Sequence, residues 1–377
     1  MSNLEEIKEE LGKQFAELLS SPKLLVEAFK KIERKRYEKK LKEQFPEGLP
    51  KIQNALELVS KDVKRDWVIE GLAPRGSVGF LFGQAGVGKT WMGLHIAKCV
   101  SHNEEFFSFP CKGSKVLYFA EEDKEVNLCE RLKKLNIQSL AGAQLEFLCR
   151  AGFRADEDRW WDFLEYILAN GDYAMVIMDN WSFIKGAINE NEESGVTEVI
   201  RKFIQIAEKY NVYILILHHA RKSYGVVLDP LDEMRGSSAL RNLPDQVFRL
   251  RETEIAGRYA IDVIKNRDGA SHFSIVFEVN FSEDKVTFDL VSLEKWSELK
   301  VEKVKKAIIE IFETEAREMR RKEIIGRLKG FAGEGTINEA LRALVKAEIL
   351  IKEKAGKETI YRLARGYVSK NEVEEEE

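Results

Sequence analysis

Between residues 68 and 293, short apolar runs rich in β-forming residues alternate with helical stretches of ten or more residues. The clearest apolar runs are Val78–Phe82, Val116–Ala120, Ala174–Met178 and Val212–Leu217. Continuous apolar strands that alternate with helices are typical of a parallel sheet covered on both faces. The pattern therefore predicts an α/β fold with a mostly parallel central sheet. Three further strand-like runs are separated by turns: Tyr259–Lys265, Phe273–Phe281 and Lys285–Val291. These runs predict an antiparallel extension of that sheet.

The N-terminal segment has a different pattern, with apolar residues at helical spacing and little turn chemistry. Leu4, Ile7 and Leu11 begin the stripe of one amphipathic helix, and a second helix follows with Ile32 on its apolar face. This second helix runs into a basic stretch, residues 30 to 42, that holds eight Lys or Arg and two Glu. Both a solvated helix face and an arm for a partner or nucleic acid fit such a stretch.

The C-terminal segment has a third pattern. Helices are predicted over Val301–Ala316, around Lys322–Leu328 and over Thr336–Ala347, and Ile349–Leu363 has the pattern of two short strands. Three helices followed by a β-hairpin are the layout of a winged helix. We therefore divide the chain into a helical segment (1–66), an α/β domain (67–297), a winged helix (298–366) and an acidic tail (367–377).

Composition agrees with several folded domains but gives little direct indication of function. The 377 residues are 44% hydrophobic, and 60 basic side chains against 64 acidic ones leave a net charge of −4. No apolar run approaches the roughly 18 to 20 residues that cross a bilayer, and the N-terminus is charged where a signal peptide is apolar. The four cysteines have no CxxC spacing. We expect a cytoplasmic protein with reduced thiols and no membrane contact.

The strongest chemical signal lies between the apolar run Val78–Phe82 and a predicted helix. The segment fits GxxxxGK[ST] and consists of Gly83, Gln84, Ala85, Gly86, Val87, Gly88, Lys89 and Thr90. Its glycines let several backbone N–H groups point at one phosphate, and the following helix, beginning at Trp91, adds a favourable dipole. Lys89 would contact the β- and γ-phosphates, and Thr90 would bind Mg²⁺. The sequence thus predicts ATP and Mg²⁺ as ligands, with Trp91 also at the nucleotide.

Polar residues follow three other apolar runs. Asp179 comes directly after Ala174–Met178 and is predicted to bind Mg²⁺, although an Asp can also cap a helix there. Glu121-Glu122-Asp123 follows Val116–Ala120, and one of these carboxylates is expected to accept a proton from the attacking water unless the cluster only faces solvent. His218-His219 follows Val212–Leu217, and we assign His218 to sensing the γ-phosphate.

Six segments, taken in order, resemble the RecA-like ATPases of the RepA type, which are hexameric plasmid replicative helicases. They are GLAPRGS, the phosphate loop, VLYFAEED, VIMDN, ILILHHARK and MRGSSALRNLPDQVFRLR, and they span roughly residues 68–291. The resemblance implies that Glu122 is the catalytic base, with Glu121 as the alternative one residue away. The segment KNRDG, with Lys265 and Arg267, also resembles the K-x-R turn by which DnaB-type ring helicases reach a neighbour's nucleotide. The resemblance implies that these cations act at the nucleotide of a neighbouring subunit; an ordinary basic turn is the alternative.

The same resemblance places DNA-facing loops at residues 185–195 and 221–235. The second loop carries Arg221, Lys222 and Arg235, which suit phosphate contacts, whereas Asn189–Glu193 makes the first loop acidic and argues against phosphate binding there. Residues 300–365 carry seventeen basic and eleven acidic side chains, an excess that suits DNA. A winged helix would expose four basic residues to DNA, unless it docks a protein instead: Arg342, Lys346, Lys354 and Lys357.

Taken together, these features predict an ATP-driven DNA helicase or translocase of a plasmid, virus or mobile element. The resemblance implies a homo-oligomer, a hexameric ring with single-stranded DNA in its channel, and the winged helix would bind duplex DNA. Two alternatives remain: a recombinase-like or loader ATPase that does not unwind DNA, and an ATP-switched winged-helix regulator.

Overall fold

The computed structural model describes residues 21–45, 48, 51–62, 64–137, 144–221, 230–329, 331–355 and 358–364. The predicted first helix and the acidic tail lie outside these residues. The chain divides into two compact units, Met1–Lys64 and Arg65–Glu377. No helix among the described residues is both long and apolar enough to cross a membrane.

In the first unit, the predicted second helix is α1 (Pro22–Gln44), and a short helix α2 (Ala55–Val59) follows. Pro22 lies in the first turn of α1, where its missing N–H has no helical partner to lose. The apolar side chains of Val26, Phe29 and Ile32 are exposed, as are the basic side chains between residues 30 and 42. The helix therefore presents a basic surface that also carries apolar groups.

In the second unit, a short pair, β1 (Trp67–Ile69) and β2 (Ala73–Pro74), precedes a nine-stranded sheet. The sheet strands in chain order are β3 (Val78–Gly83), β4 (Lys115–Ala120), β5 (Leu145–Cys149), β6 (Tyr173–Asp179), β7 (Tyr213–His219), β8 (Gln246–Glu252), β9 (Arg258–Asn266), β10 (Phe273–Phe281) and β11 (Val286–Lys295). Their spatial order is β11-β10-β9-β8-β3-β7-β6-β4-β5. The strands from β8 to β5 pair in parallel, and β9, β10 and β11 extend the sheet antiparallel. The predicted α/β fold with a mostly parallel central sheet and an antiparallel extension is confirmed.

Helices cover both faces of this sheet. The helices are α3 (Lys89–His102), α4 (Glu125–Lys134), α5 (Asp158–Asn170), the short α6 (Trp181–Ile184), α7 (Glu193–Tyr210) and the short α8 (Ala239–Asn242). Successive strand side chains point to opposite faces: Leu81 packs with residues of α3 and α4, whereas Phe80 and Phe82 pack with residues of α5 and α7. The apolar runs in the sequence are continuous because both faces are buried.

The sequence pattern missed two strands of the sheet, β5 and β8. The sequence of β5, LEFLC, is short and is interrupted by Glu146, and the strand lies at the sheet edge, where it is only partly buried. The sequence of β8, QVFRLRE, contains Arg249 and Arg251, although the strand lies next to the central strand β3. Charged residues inside a sheet do not produce an apolar run, so β8 was not recognised.

A separate set of elements follows β11. These are α9 (Trp296–Glu315), β12 (Met319–Arg320), α10 (Arg321–Arg327), α11 (Glu334–Lys346), β13 (Leu350–Ala355) and β14 (Glu358–Leu363). The three strands form a sheet of order β12-β14-β13, and its own apolar cluster contains Ile308, Phe312 and Leu341. The helix α9 begins at Trp296, five residues before the predicted start. The predicted winged helix falls on these elements and stays a prediction.

A buried ionic cluster joins three neighbouring strands of the antiparallel region. Asp262 on β9 has 1% of its surface exposed and accepts hydrogen bonds from Arg249 (2.6 and 2.9 Å) and Arg251 (2.8 and 3.2 Å) on β8. It also accepts one from Ser274 on β10 (2.6 Å), and Ser274 in turn accepts one from the indole of Trp296 (2.9 Å). This carboxylate therefore compensates the two arginines that β8 carries into the sheet.

Substitution of Asp262 by Ala should lower the free energy of unfolding by about 3–5 kcal/mol, because it leaves partly buried guanidinium groups without their counter-charge. Burial alone would raise the pKa of Asp262, but the bonds and charges of Arg251 and Arg249 outweigh it and lower the pKa. The ion pairs therefore stabilise the fold above the unfolded-state pKa of about 4, and their contribution is lost as the pH falls through the folded-state pKa.

Urea denaturation at pH 7 and pH 3 measures this difference. Asp284→Ala, in an exposed turn of the same region, serves as the control and should leave stability nearly unchanged. Equal stability of Asp262→Ala and the unmodified protein at pH 7 would contradict the prediction.

Candidate functional site

The predicted phosphate loop lies where the central strand β3 ends and α3 begins. Gly86 and Gly88 have φ angles of +82° and +95°, which side-chain-bearing residues rarely adopt. Gly83 is required for another reason, since a Cβ there would lie 2.4 Å from the carbonyl oxygen of Leu250 on β8. The glycines therefore fix both the curvature of the loop and its close contact with the neighbouring strand.

Lys89 lies at the start of α3, and its side chain turns back into the loop. Its Nζ donates hydrogen bonds to the carbonyl oxygens of Gly83 (3.2 Å) and Gln84 (2.9 Å), and the residue is 7% exposed. Burial lowers the pKa of this ammonium, while the charges of Glu122 and Asp179 act in the opposite direction. The structure therefore brings Lys89 together with two of the predicted acidic site residues.

Asp179 ends β6 and is buried beside the loop. It accepts a hydrogen bond from the hydroxyl of Tyr118 (2.9 Å) and another from the side chain of Thr90. Burial is the largest cause that raises its pKa, to about 6; the bonds from Tyr118 and Thr90 oppose this shift, and the charges of Glu122 and Asp123 add to it. The two predicted magnesium ligands, Thr90 and Asp179, are thus in contact with each other.

These two groups fit Mg²⁺ chemically, since a hydroxyl and a carboxylate are the hard oxygen donors it prefers. In the described part of the chain, no group of three or more His, Cys, Asp or Glu could hold a metal ion by itself. An ion at Thr90 and Asp179 would therefore also need phosphate oxygens, as a magnesium–nucleotide complex provides.

The three consecutive acidic residues after β4 have different environments. Glu121 is buried and accepts hydrogen bonds from the backbone N–H groups of Gly152 (2.9 Å) and Phe153 (3.2 Å). Asp123 forms an ion pair with Arg131 (2.7 Å). The carboxylate of Glu122 accepts a hydrogen bond from the side-chain amide of Asn180 and lies within electrostatic range of Lys89. Glu122 is therefore the member of this cluster that faces the phosphate loop.

The paired histidines belong to β7 itself, so their side chains point to opposite faces. His218 is wholly buried between Phe80 and Trp181; its Nε2–H donates to the carbonyl of Arg235 (2.8 Å), and burial lowers its pKa to about 4. His219 accepts a hydrogen bond from Asn180 at 3.4 Å. Burial and then the charge of Lys89 lower the pKa of His219. Of the two, the structure places His219 in contact with Asn180, whereas His218 is buried on the other face of β7; the sensing role predicted for His218 stays a prediction.

Beside the loop lies an apolar cavity of about 220 Å³. Gly86, Gly88 and Trp91 form one wall, and residues of β8 to β11 form the other: Leu250, Tyr259, Phe277, Val279, Phe281 and Phe288. The rings of Trp91 and Phe281 meet edge to face at 5.8 Å, and Arg131 lies 5.5 Å from the Trp91 ring. Among the aromatic residues of this cavity, sequence analysis identified Trp91 alone, because the others come from strands that are far apart in sequence.

Lys265 and Arg267 lie at the opposite end of the sheet from the phosphate loop. Their strand, β9, is antiparallel to β8, so that Asn266 pairs with Gln246 at the start of β8 while Gly83 pairs with Leu250 near its end. Lys265 donates to the carbonyl oxygens of Asn242 (2.7 Å) and Pro244 (2.6 Å), and burial lowers its pKa to about 8. Arg267 pairs with Asp245 at 3.3 Å. The structure does not bring these two cations to their own chain's loop.

The predicted DNA-contacting arginines have partners within the chain. Arg221 donates to the carbonyl of Gly236 (3.0 Å), and its own carbonyl accepts from Gln84 of the phosphate loop (3.0 Å). Arg235 forms an ion pair with Glu190 (2.5 Å). The side chains of Arg342, Lys346 and Lys354 are exposed, whereas Lys222 and Lys357 lie outside the described residues.

The profile of the AAA domain family matches residues 47–225, a little under half of the chain. Comparison with curated proteins finds no match. Among solved structures, the chain is similar to the ATPase domain of another protein, with 16% identity, 63% of this chain and 95% of that chain covered, and a TM-score of 0.47. It is also similar to a KaiC-like protein from the archaeon Pyrococcus horikoshii OT3, with 14% identity, 60% of this chain and 99% of that chain covered, and a TM-score of 0.44. The AAA match and the geometry of the loop support ATPase activity and nucleotide binding.

The raised pKa of Asp179 leads to a stability prediction for the nucleotide-free protein. Because the folded state holds this proton more tightly than the unfolded state, the favourable contribution is complete below pH 4 and is lost as the pH rises through about 6. Asp179→Asn, which remains neutral, should therefore be more stable than the unmodified protein at pH 8, by about 1–3 kcal/mol, and equally stable at pH 4.

Denaturation at both pH values, without nucleotide, measures this difference. Asp172→Asn, at an exposed position just before β6, is the matched control and should give no gain at pH 8. A less stable Asp179→Asn at pH 8 would show that burial of the charge is not what raises the pKa.

Proposed function

We propose that this protein is an ATP-driven DNA translocase or helicase of the RepA type, with active sites completed between the subunits of a ring. The observation that supports this most strongly is the separation of the two halves of the site. Lys89, Glu122, Asp179 and His219 converge at one end of the sheet, and Lys265 and Arg267 lie at the other. The step from Gln246 to Leu250 alone spans about 13 Å of strand, so the two cations fit a neighbour's site and not their own.

Within one subunit, the described contacts suit the hydrolysis of a triphosphate. Lys89 would exchange its two carbonyl partners for phosphate oxygens, and Thr90 and Asp179 would hold Mg²⁺, which when bound neutralises charge on the phosphates. Asn180 donates to Glu122 and to His219. It therefore holds in position the carboxylate that would accept a proton from the attacking water and connects it to a residue suited to sensing the γ-phosphate.

The apolar cavity beside the loop suits the nucleoside part of the ligand. Its walls are the aromatic side chains of α3 and of the antiparallel strands, which offer stacking surfaces for a base. The strands β9 to β11 form one wall of this cavity, and β9 also leads to Arg267. The same sheet extension would therefore contact the base of the nucleotide bound to its own subunit and the phosphates of the nucleotide bound to the next subunit.

The C-terminal elements provide a second surface for DNA. In a winged helix, α11 would be the recognition helix, and its exposed Arg342 and Lys346, together with Lys354 on β13, would contact phosphates. Asn338, also on α11, accepts a hydrogen bond from Arg321 at 2.8 Å and is therefore engaged within the domain. We infer that this unit holds the ring on duplex DNA while single-stranded DNA passes the loops of the ATPase domain.

Glu122→Gln should retain nucleotide binding and reduce ATP hydrolysis by about 100-fold or more, because the amide cannot accept the proton of the attacking water. Glu121→Gln is the comparison variant; because Gly152 and Phe153 donate to different oxygens of Glu121, the amide keeps only one of these bonds, so its unfolding is measured beside its turnover. Steady-state hydrolysis with single-stranded DNA, together with binding of a fluorescent ATP analogue, distinguishes the two. If Glu121→Gln alone loses turnover, the catalytic base is Glu121 and not Glu122.

Subunit mixing tests the shared site. Lys89→Ala and Arg267→Ala should each be inactive alone, whereas refolding them together should restore hydrolysis at about one quarter of the interfaces in a random ring. At those interfaces an intact Lys89 faces an intact Arg267. Mixing Lys89→Ala with Glu122→Gln is the control, because both defects lie in the same half-site and no intact pair can form. Recovery in the control mixture, or none in the first, would argue against a cation donated by the neighbour.

A further inference from the structure

The acidic segment that argued against phosphate binding, Asn189–Glu193, packs on the segment Arg235–Ser238, which we call the RGSS segment. Glu190 pairs through its carboxylate with Arg235 (2.5 Å), and its carbonyl accepts the N–H of Ser237 (2.7 Å). Ser238 donates to the carboxylate of Glu193 (2.9 Å). Three separate contacts therefore hold the acidic segment against the RGSS segment, whose first residue, Arg235, ends the loop that is expected to meet DNA.

Gly236 allows this close approach. Its φ angle is +96°, and a Cβ at this position would lie 2.9 Å from the carbonyl oxygen of Glu190. A residue with a side chain would be strained by its own backbone conformation and would also push the acidic segment away. The glycine of the RGSS segment is thus required by the contact between the two loops.

The two charges of the ion pair differ in their exposure. The side chain of Glu190 is 7% exposed, whereas that of Arg235 is 56% exposed. A carboxylate buried to this extent depends on its counter-charge, because removing a charge from water is costly unless it is paired. A guanidinium binds carboxylate and phosphate oxygens with the same donor geometry. Glu190 thus occupies a donor of Arg235 that a phosphate would otherwise take.

We propose that Glu190 is an internal competitor of nucleic-acid phosphate for Arg235, so that the acidic segment restrains the RGSS segment until a polynucleotide displaces it. This inference rests on the proposed function in one respect, namely that the competing polyanion is single-stranded DNA. It explains why an acidic segment lies beside a loop expected to bind phosphate.

The ion pair is also linked to the nucleotide site. The backbone N–H of Arg235 donates to the carbonyl of His219 (3.4 Å), and the carbonyl of Arg235 accepts from His218 (2.8 Å). Burial and the charge of Lys89 lower the pKa of His219; the charge of Arg235 lowers it further, whereas the charges of Glu122 and Glu190 act in the opposite direction. Displacement of Glu190 by DNA would therefore change the electrostatic environment of a residue next to the catalytic carboxylate.

The test measures binding of a fluorescent single-stranded oligothymidylate by anisotropy, in the absence of nucleotide. Glu190→Gln should bind about two- to tenfold more tightly than the unmodified protein, the range expected for release of one partly exposed ion pair. Glu192→Gln removes a carboxylate from the same segment, one that accepts a hydrogen bond from Ser194 (2.8 Å) instead of from Arg235. It should bind like the unmodified protein.

A double-variant cycle separates competition from a general effect of charge. Arg235→Gln should bind more weakly, and Glu190→Gln combined with Arg235→Gln should bind no better than Arg235→Gln alone, because no arginine remains to be released. A gain that persists in the Arg235→Gln background would overturn the competition, as would a Glu190→Gln variant that binds no more tightly than the unmodified protein.

Hydrogen exchange in the unmodified protein tests the same displacement without any substitution. Addition of the oligonucleotide should increase exchange of the Ser237 amide, which loses the Glu190 carbonyl; unchanged or slower exchange would count against displacement. If the unmodified protein binds the oligonucleotide but neither Glu190→Gln nor this amide responds, only the competition is refuted. If the unmodified protein and all variants fail to bind, the proposed DNA function is refuted with it.

Discussion

The site depends on the burial of opposite charges at the carboxyl end of the parallel strands. The Lys89 ammonium and the Asp179 carboxylate are both nearly inaccessible, and neither could remain charged there without partners. The carbonyls of the phosphate loop stabilise the cation, and the hydroxyls of Tyr118 and Thr90 stabilise the anion. Burial still raises the pKa of Asp179 to about 6, which shows that this compensation is incomplete. Under the proposed function, a metal-bound triphosphate would supply the charges that complete it.

One strand connects the separate parts of the molecule, namely β8. It contacts the phosphate loop through Leu250, opposite Gly83, and its first residue pairs with the turn that carries Arg267. Arg249 on the same strand binds Glu233, in the loop that ends at Arg235, and Asp262 in the antiparallel extension. Arg249 and Arg251, which interrupt the apolar pattern of this strand, therefore both attach the sheet extension to it, and Arg249 also attaches the loop that ends at Arg235.

The carboxylates after β4 and the histidines at the end of β7 show which features of a site a sequence motif predicts and which it leaves open. The order of motifs predicted a cluster of carboxylates and a pair of histidines, and the structure places Glu122 and His219 of these two groups beside Asn180. Choosing between Glu121 and Glu122 from the residues themselves required the backbone amides of Gly152 and Phe153, about thirty residues further along the chain. The choice between His218 and His219 depended on where β7 ends, because a shift of one residue exchanges the two faces of a strand. The aromatic cavity beside the loop had no local signal, since its walls come from five separate elements.

The sequence alone determined the features that depend on neighbouring residues: the apolar strands, the helices between them, and the phosphate loop, whose glycines adopt left-handed angles because of their own chemistry. Local spacing also indicated the helices and strands after residue 296. Only the tertiary structure decided which charges meet, as Asp262 with Arg249 and Arg251, or Glu190 with Arg235 some forty-five residues away. The physical reason is that backbone preference is a local property, whereas the partner of a buried charge is set by the order in which strands assemble into the sheet.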